Sequence, residues 1–143
     1  MDPEIIIIGM GRYGGLLGKR LYQDGVRVLG VDFDPERVQE LRQHGLQMAF
    51  GDVENTEIAD ILPLGEAHWV VSTIPDRSLN NTLIVSLRQH GYTGLVAVVA
   101  HANEDVIALT QAGASYVFSP YTDATEFAAE TLYRSLKAKQ PSK

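Results

Sequence analysis

Ile5-Ile6-Ile7-Ile8-Gly9-Met10-Gly11-Arg12-Tyr13-Gly14 is the stretch that decides the fold. A run of isoleucine suits a strand buried on both faces, the environment of a central strand in a parallel sheet. Glycines at 9, 11 and 14 follow at once, and Leu16, Leu17 and Leu21 then recur at helical spacing until Gly25. A glycine pattern between a strand and the helix it opens is where a dinucleotide fingerprint has to lie. Gly9 permits the tight turn, Gly11 lets a diphosphate approach the backbone, and Gly14 lets the helix pack closely on the sheet. The free amides of Arg12, Tyr13 and Gly14 then point at the phosphates, helped by the helix dipole. The whole loop, Met10 included, is the candidate phosphate-binding segment.

Outward from this loop, short apolar runs alternate with amphipathic segments. The pattern predicts strands over 4–8, 26–32, 46–50, 67–73, 95–100 and 115–118. It predicts helices over 13–24, 35–44, 54–62, 78–90, 103–112 and 122–137. Asp34 is placed to cap the second helix, with Pro35 in its first turn. Arg42-Gln43-His44-Gly45 recurs as Arg88-Gln89-His90-Gly91, each time at a helix end before a strand. Asp24-Gly25 and Ala112-Gly113 punctuate the chain in the same way, glycine supplying the left-handed turn that closes a helix. The division is of two βαβαβ halves. The fold class is therefore α/β: a Rossmann-like doubly wound parallel sheet of six strands in order 3-2-1-4-5-6, with helices on both faces. One domain over 1–143 is expected, with the last helix at about 122–137 as its dimer element and 138–143 as a tail.

The chain has 143 residues, of which 45% are hydrophobic, enough for one domain with a proper core. Twelve Lys and Arg against 18 Asp and Glu give a net charge of −6, which argues against a general nucleic-acid binder. The absence of cysteine excludes disulfide scaffolds, thiolate metal sites and cysteine nucleophiles. No apolar run reaches the roughly 18–20 residues of a membrane span, and no signal peptide opens the chain. A soluble, cytoplasmic domain without direct membrane insertion is expected.

Three features agree with the glycine loop. Asp32 ends the second strand, where such a site carries its acidic residue about 20 residues on; a carboxylate there accepts both ribose hydroxyls and repels a 2′-phosphate, disfavouring NADP. Gly51-Asp52-Val53 follows the third strand, where the adenine edge would lie, and Phe33 and Val53 could line the two ring faces. Ser72-Thr73-Ile74-Pro75 follows the fourth strand on the far side of the switch point. Other residues leave two readings open. Arg12 either clamps a phosphate or faces solvent from the first helical turn. Asp52 either bonds the adenine amino group or caps the third helix. Asp34 reads as an N-cap before a ligand, and Arg37 as a surface residue within reach of a nucleotide. His44 and His90 sit in last helical turns, where a cation suits the dipole. His68 and His101 stand without a second ligand at metal spacing, so no metal site is expected.

Six strands and their helices consume these residues, leaving nothing to build a substrate pocket. No histidine or lysine is placed for proton transfer beyond His101, which faces the same edge of the sheet. The expectation is a binding module with no catalytic residues; the alternative is the cofactor half of an NAD-dependent oxidoreductase whose substrate domain is missing. Phe127, Ala128, Leu132 and Leu136 give the last helix an apolar stripe, with Asp123 and Glu126 as a capping-box-like start. That stripe either covers the edge strand or packs on a second copy, with Tyr121 and Tyr133 as added interface surface.

GMGRYGGLLGKRL, VDFDPERVQELRQHG, the GDV after the third strand and AHANEDVIALTQAGASYVFSP together resemble the N-terminal subdomain of regulator-of-potassium-conductance (RCK) domains, also called TrkA-N. The likeness runs from Ile5 to about Leu136. The Arg12-aromatic-Gly14 form of the loop is most similar to copies attached to Kef-type potassium/proton antiporters of the monovalent cation:proton antiporter-2 group. The resemblance implies a cytosolic regulatory domain of an inner-membrane transporter. It also implies a homodimer formed through the last helix, and an AMP, ATP or NAD(H) ligand that gates cation movement. The ligand residues it carries over are Gly9, Gly11, Arg12, Gly14, Asp32, Asp52 and Thr73. The sequence departs from many relatives in having Val99-Ala100-His101 where they carry an Arg-Ala-Arg-like run. The C-terminal subdomain that often follows is not expected within these 143 residues. A chain without membrane spans cannot itself move ions, so it is expected to be a domain of a longer transporter or a detached subunit.

Overall fold

The computed structural model describes residues 2–55 and 57–139. Its strands are β1 (Ile5–Ile8), β2 (Val28–Asp32), β3 (Gln47–Phe50), β4 (Trp69–Ser72), β5 (Leu95–Val99) and β6 (Tyr116–Phe118). Its helices are α1 (Arg12–Gln23), α2 (Pro35–Gln43), α3 (Ile58–Ile61), α4 (Arg77–Gln89), α5 (Asn103–Gln111) and α6 (Pro120–Ala138). All strand pairs are parallel and the order is β3-β2-β1-β4-β5-β6, as the alternating pattern requires. The isoleucine run is central: Ile6 pairs with Leu29 on one side and Val70 on the other. Ile6, Ile7 and Ile8 are buried, on alternating faces. Each contributes on the order of 1.5–3 kcal/mol by leaving water.

Two cores result. On one face, α3, α4 and α5 pack Ile58, Leu83, Ile84, Leu87 and Leu109 against Ile6, Ile8, Val70, Val96 and Val98. On the other, α1 and α2 pack Leu17, Leu21, Val38 and Leu41 against Ile7, Val28, Met48 and Val71. On that second face β5 and β6 carry no helix of their own. Leu95 and Tyr116 are exposed, and the rings of Tyr116 and Phe118 lie 4.7 Å apart.

Four helices return to the sheet through one repeated closure. Gly25, Gly45, Gly91 and Gly113 all have φ between 82° and 109°. In each case the glycine amide and the amide after it bond back to the last turn, as in Gly45 N to Arg42 O at 3.0 Å and Leu46 N to Leu41 O at 3.2 Å. The Arg-Gln-His-Gly echo is this closure with additions. His44 and His90 bond the carbonyls of Glu40 and Ser86 through Nδ1, while Arg42 and Arg88 donate to carbonyls of the next strand region.

Two predicted elements change. The third helix is a single turn at Ile58–Ile61 and does not begin at residue 54. Asp52 Oδ1 accepts from Glu54 N at 2.9 Å and Asn55 Oδ1 from Glu57 N at 3.0 Å, so side chains capture amides that a helix would use. The last helix starts earlier than residue 122, at Pro120 after Ser119. The Asp123–Glu126 box does not form; Asp123 Oδ2 instead accepts from Ser119 N at 3.1 Å. No residue of this 19-residue helix is buried: Phe127 is 77% exposed, Leu132 65% and Leu136 67%. It does not cover its own edge strand. Residues 140–143, most of the expected tail, lie outside the described residues. Among the described residues no helix is long and apolar enough to cross a membrane.

Candidate functional site

The glycine loop is shaped by what surrounds each glycine. Gly9 has φ +92°, and a Cβ there would stand 2.7 Å from Thr73 Oγ1. A Cβ on Gly14 would overlap the Gly9 carbonyl, whereas one on Gly11 would meet nothing within 4 Å. The first and third glycines are thus set by packing and the second opens onto free space. Gly9 N donates to Val31 O at 2.8 Å, drawing the loop toward β2. The first bond of α1 is Gly15 N to Gly11 O at 2.7 Å, and no side chain caps the helix. Among the described residues, the amides of Gly11, Arg12, Tyr13 and Gly14 therefore have no acceptor.

Asp32 closes the other side. Its Oδ2 accepts from Met10 N at 2.8 Å and its Oδ1 from Asp34 N at 2.9 Å, which locks the carboxylate beside the loop. A carboxylate offers about four acceptor positions, so each oxygen keeps capacity for a further donor. Gly9, Gly11, Asp32, Phe33, Val53 and Thr73 line one cleft of about 270 Å³, with Ile74 and Pro75 as its opposite wall. Thr73 does not offer its hydroxyl proton to that cleft. Its Oγ1 donates to Gly9 O at 2.5 Å, with Ile8 O at 3.3 Å. A larger groove of about 820 Å³ lies at the opposite, amino edge of the sheet, among Arg27, His68, His90 and Tyr92.

The remaining candidates lie elsewhere. Met10 buries its side chain completely in the core over Gly18 and Gly30, because the turn of the loop directs it beneath the helix. Tyr13 is half-buried on the far side. Burial pushes its phenol pKa up, with Asp123 of α6 and Tyr116 of β6 adding to the effect. Arg12 is exposed and makes no hydrogen bond or ion pair among the described residues, on a surface depression shared with Lys19 and Arg37. Asp52 is exposed, does not line the cleft, and spends its Oδ1 on the turn before α3. Asp34 is the N-cap expected, accepting from Glu36 N at 3.0 Å.

Two residues escaped the sequence reading. Arg37, expected at the surface within reach of a nucleotide, is partly exposed but turns its guanidinium onto the loop: its Nε donates to Met10 O at 2.5 Å, its Nη2 to Gly11 O at 3.3 Å and its Nη1 to Glu40 Oε1 at 3.1 Å. The one signal was Gly15, an extra glycine that the fingerprint does not call for. Asn80 is wholly buried and donates from Nδ2 to Ile74 O at 2.8 Å and Val99 O at 3.3 Å, pinning the wall of the cleft to β5. Its signal was a polar residue on the same helical stripe as Leu83, Ile84 and Leu87.

The model of the TrkA-N domain family matches residues 5–120. The glutathione-regulated potassium-efflux system protein KefC of Escherichia fergusonii is 29% identical over 130 residues, covering 91% of this chain and 20% of that protein. The chain thus spans about a fifth of the length of the curated relatives it matches. The crystal structure of the TrkA-N domain of inner membrane protein ybaL from Escherichia coli superposes with a TM-score of 0.81 at 26% identity, over 92% of this chain and 98% of that one. Two more distant structures share the fold at 17% identity. The Kef CTD of Shewanella denitrificans in AMP-bound form has a TM-score of 0.72 over 96% of this chain and 82% of its own. The GsuK channel bound to NAD has 0.71, over 82% and 21%. With the match running from the first residue of β1 to the first residue of α6, the chain belongs to the TrkA-N domain family.

Proposed function

We propose that this domain binds an adenine nucleotide, AMP, ATP or NAD(H), and that binding regulates a membrane cation transporter. The observation that carries the reading is that the loop whose amides at Gly11, Arg12, Tyr13 and Gly14 have no acceptor among the described residues meets the fixed carboxylate of Asp32 at one cleft, which Gly9 and Gly11 line. The site fits such a ligand: a Cβ at Gly11 would project into open space, and it is there that a phosphate would lie against the amides. Asp32 would accept the ribose hydroxyls and repel a 2′-phosphate, so NADP is disfavoured. Phe33 and Val53 would flank adenine. Thr73 would hold the loop through the Gly9 carbonyl, Tyr13 would serve through its main-chain amide, and Met10 would act by fixing Asp32 through its own amide. Arg12, without a partner among the described residues, would swing onto the phosphates.

Among the described residues, Asp32 is the one ionisable side chain lining the cleft, and two amides already hold it. That supports a sensor over an enzyme, since proton transfer needs a free acid or base. The family relationship to KefC supports a Kef-type cation:proton antiporter as the partner, on the same or a separate chain, with this domain on the cytoplasmic side of the inner membrane. Sensing also requires a second state to bias. The exposed stripe of α6 and the exposed Leu95 and Tyr116 are apolar surfaces that a second copy would cover, which supports a homodimer as the working unit.

Calorimetric titration with AMP, ADP, ATP, NAD and NADH, repeated on Asp32→Ala, tests the reading. Mononucleotide binding that the substitution weakens by about tenfold or more is the expected result. Selectivity for NADH over AMP would favour an oxidoreductase half, and no binding by the parent protein would reduce the loop to scaffold.

A further inference from the structure

We propose that Arg37 is a positioning residue of the glycine loop, holding two carbonyls from behind so that two amides face the phosphate, and that residue 15 is glycine to admit its guanidinium. The inference rests on the nucleotide reading above. Arg37 donates to Met10 O through Nε and to Gly11 O through Nη2. Those carbonyls belong to the peptide units whose amides are Gly11 N and Arg12 N. The chain has no cis peptide bonds, and in a trans unit the C=O and N–H point in opposite directions. Fixing each carbonyl toward α2 therefore turns the following amide away from α2, and these amides are the first two free donors of the loop.

Nothing else does this work as completely. Gly11 O also accepts the first helical bond from Gly15 N, whereas Met10 O has no other donor than Arg37 among the described residues. Met10 N is held by Asp32. The peptide unit entering the loop is thus gripped at its amide by one acidic side chain and at its next carbonyl by one basic side chain, from two different elements. A guanidinium suits the task because its planar fork spans adjacent acceptors and keeps its charge at any physiological pH. That charge sits half-buried under the loop, adding to the pull of the helix dipole on an anion. Glu40, 3.1 Å from Nη1, holds the far side of the fork.

Gly15 supplies the independent observation. A Cβ at that position would press directly on Arg37 Nη2, the far end of a flexible side chain. The glycine interior to a helix is otherwise a cost, since alanine is the better helix former. Gly15→Ala should therefore leave α1 intact while displacing the guanidinium.

The test compares AMP with adenosine, which lacks the phosphate, on the parent protein, Arg37→Gln and Gly15→Ala, with thermal unfolding of each. Both variants are expected to bind AMP about tenfold to a hundredfold more weakly and adenosine within about twofold of the parent. A general structural defect would weaken both ligands alike, and that outcome, or AMP affinity unchanged in both variants, overturns the proposal. Should Arg37→Gln not fold, Gly15→Ala carries the comparison alone. Should the parent bind neither ligand, the nucleotide reading has failed, and amide hydrogen exchange of Gly11 and Arg12 decides the arginine's role. Faster exchange in the variants supports it, and equal exchange overturns it.

Discussion

Asn80 and Ser72 are both fully buried at the carboxyl edge of the sheet, and each leaves a buried oxygen, Asn80 Oδ1 and Ser72 Oγ, without a partner among the described residues, but only Asn80 also donates. Asn80 donates to two carbonyls from different segments, so Asn80→Ala removes both bonds along with the unpaired Oδ1, while Ile74 O keeps Asp76 N, and it is expected to cost about 1–2 kcal/mol in urea unfolding. Ser72 Oγ has no partner at all, so Ser72→Ala removes a buried orphan and should leave stability unchanged or slightly raised in the same experiment. Residues of this kind mark how far a sequence reading reaches. Gly9, Gly14 and Asp32 were legible because a turn, a close approach and a strand-end carboxylate each demand one residue type at one spacing. The direction of Met10, Tyr13 and Arg12 was not, because these three residues within one short loop point three ways and no periodicity encodes which. Arg37 was missed for a related reason: a long flexible side chain on a polar helix looks the same whether it meets solvent or a neighbouring loop.

At the scale of elements, α3 and α4 are joined by a titratable clasp. His90 Nδ1 meets Ser86 O at 2.8 Å and Nε2 lies 2.6 Å from Asp60 Oδ1 on α3. The bond to the Ser86 carbonyl raises the pKa above 6.5 most strongly, partial burial opposes it, and Asp60 raises it further. The folded state thus holds the proton more tightly than the unfolded chain. The stabilisation is complete below about pH 6.5 and fades as pH rises through the raised folded value. Thermal unfolding of the parent and His90→Gln should accordingly differ most near pH ~5.5 and converge toward pH ~9. The last helix makes a different prediction. Because Phe127 and Leu132 are exposed, Phe127→Asp with Leu132→Asp should leave far-UV circular dichroism nearly unchanged, and if the proposed homodimer forms through this stripe the variant should sediment as a monomer where the parent sediments as a dimer. The stripe itself was plain in the sequence at helical spacing. Its partner was not, since an apolar stripe does not say whether it faces its own sheet or another chain's. The overlong third helix failed because Asp52 and Asn55 take amides for their own side chains, a local competition that apolar spacing ignores.

For the whole molecule, nucleotide binding to the folded state alone should register as stability. At a hundred times its Kd a ligand adds about 2.7 kcal/mol, which for a domain of this size is roughly 5–10 °C in melting temperature. Scanning fluorimetry with AMP should show that rise in the parent protein, reduced in Asp32→Ala. The strand order was readable because the isoleucine run fixes the centre of the sheet, and each glycine closure fixes where the next strand enters. Those closures have a consequence of their own. Four of the returns to the amino edge use one interchangeable part, while the first four connections at the carboxyl edge each have their own wording: a glycine loop, an Asp-Pro cap, an Asx turn, an Ile-Pro wall. The molecule therefore keeps its foundations standardised and its frontage free. Randomising the helix-closing turns should sort clones by folding alone, and randomising the opposite loops should sort folded clones by what they recognise. A lineage built on this plan can change its messenger without renegotiating its architecture.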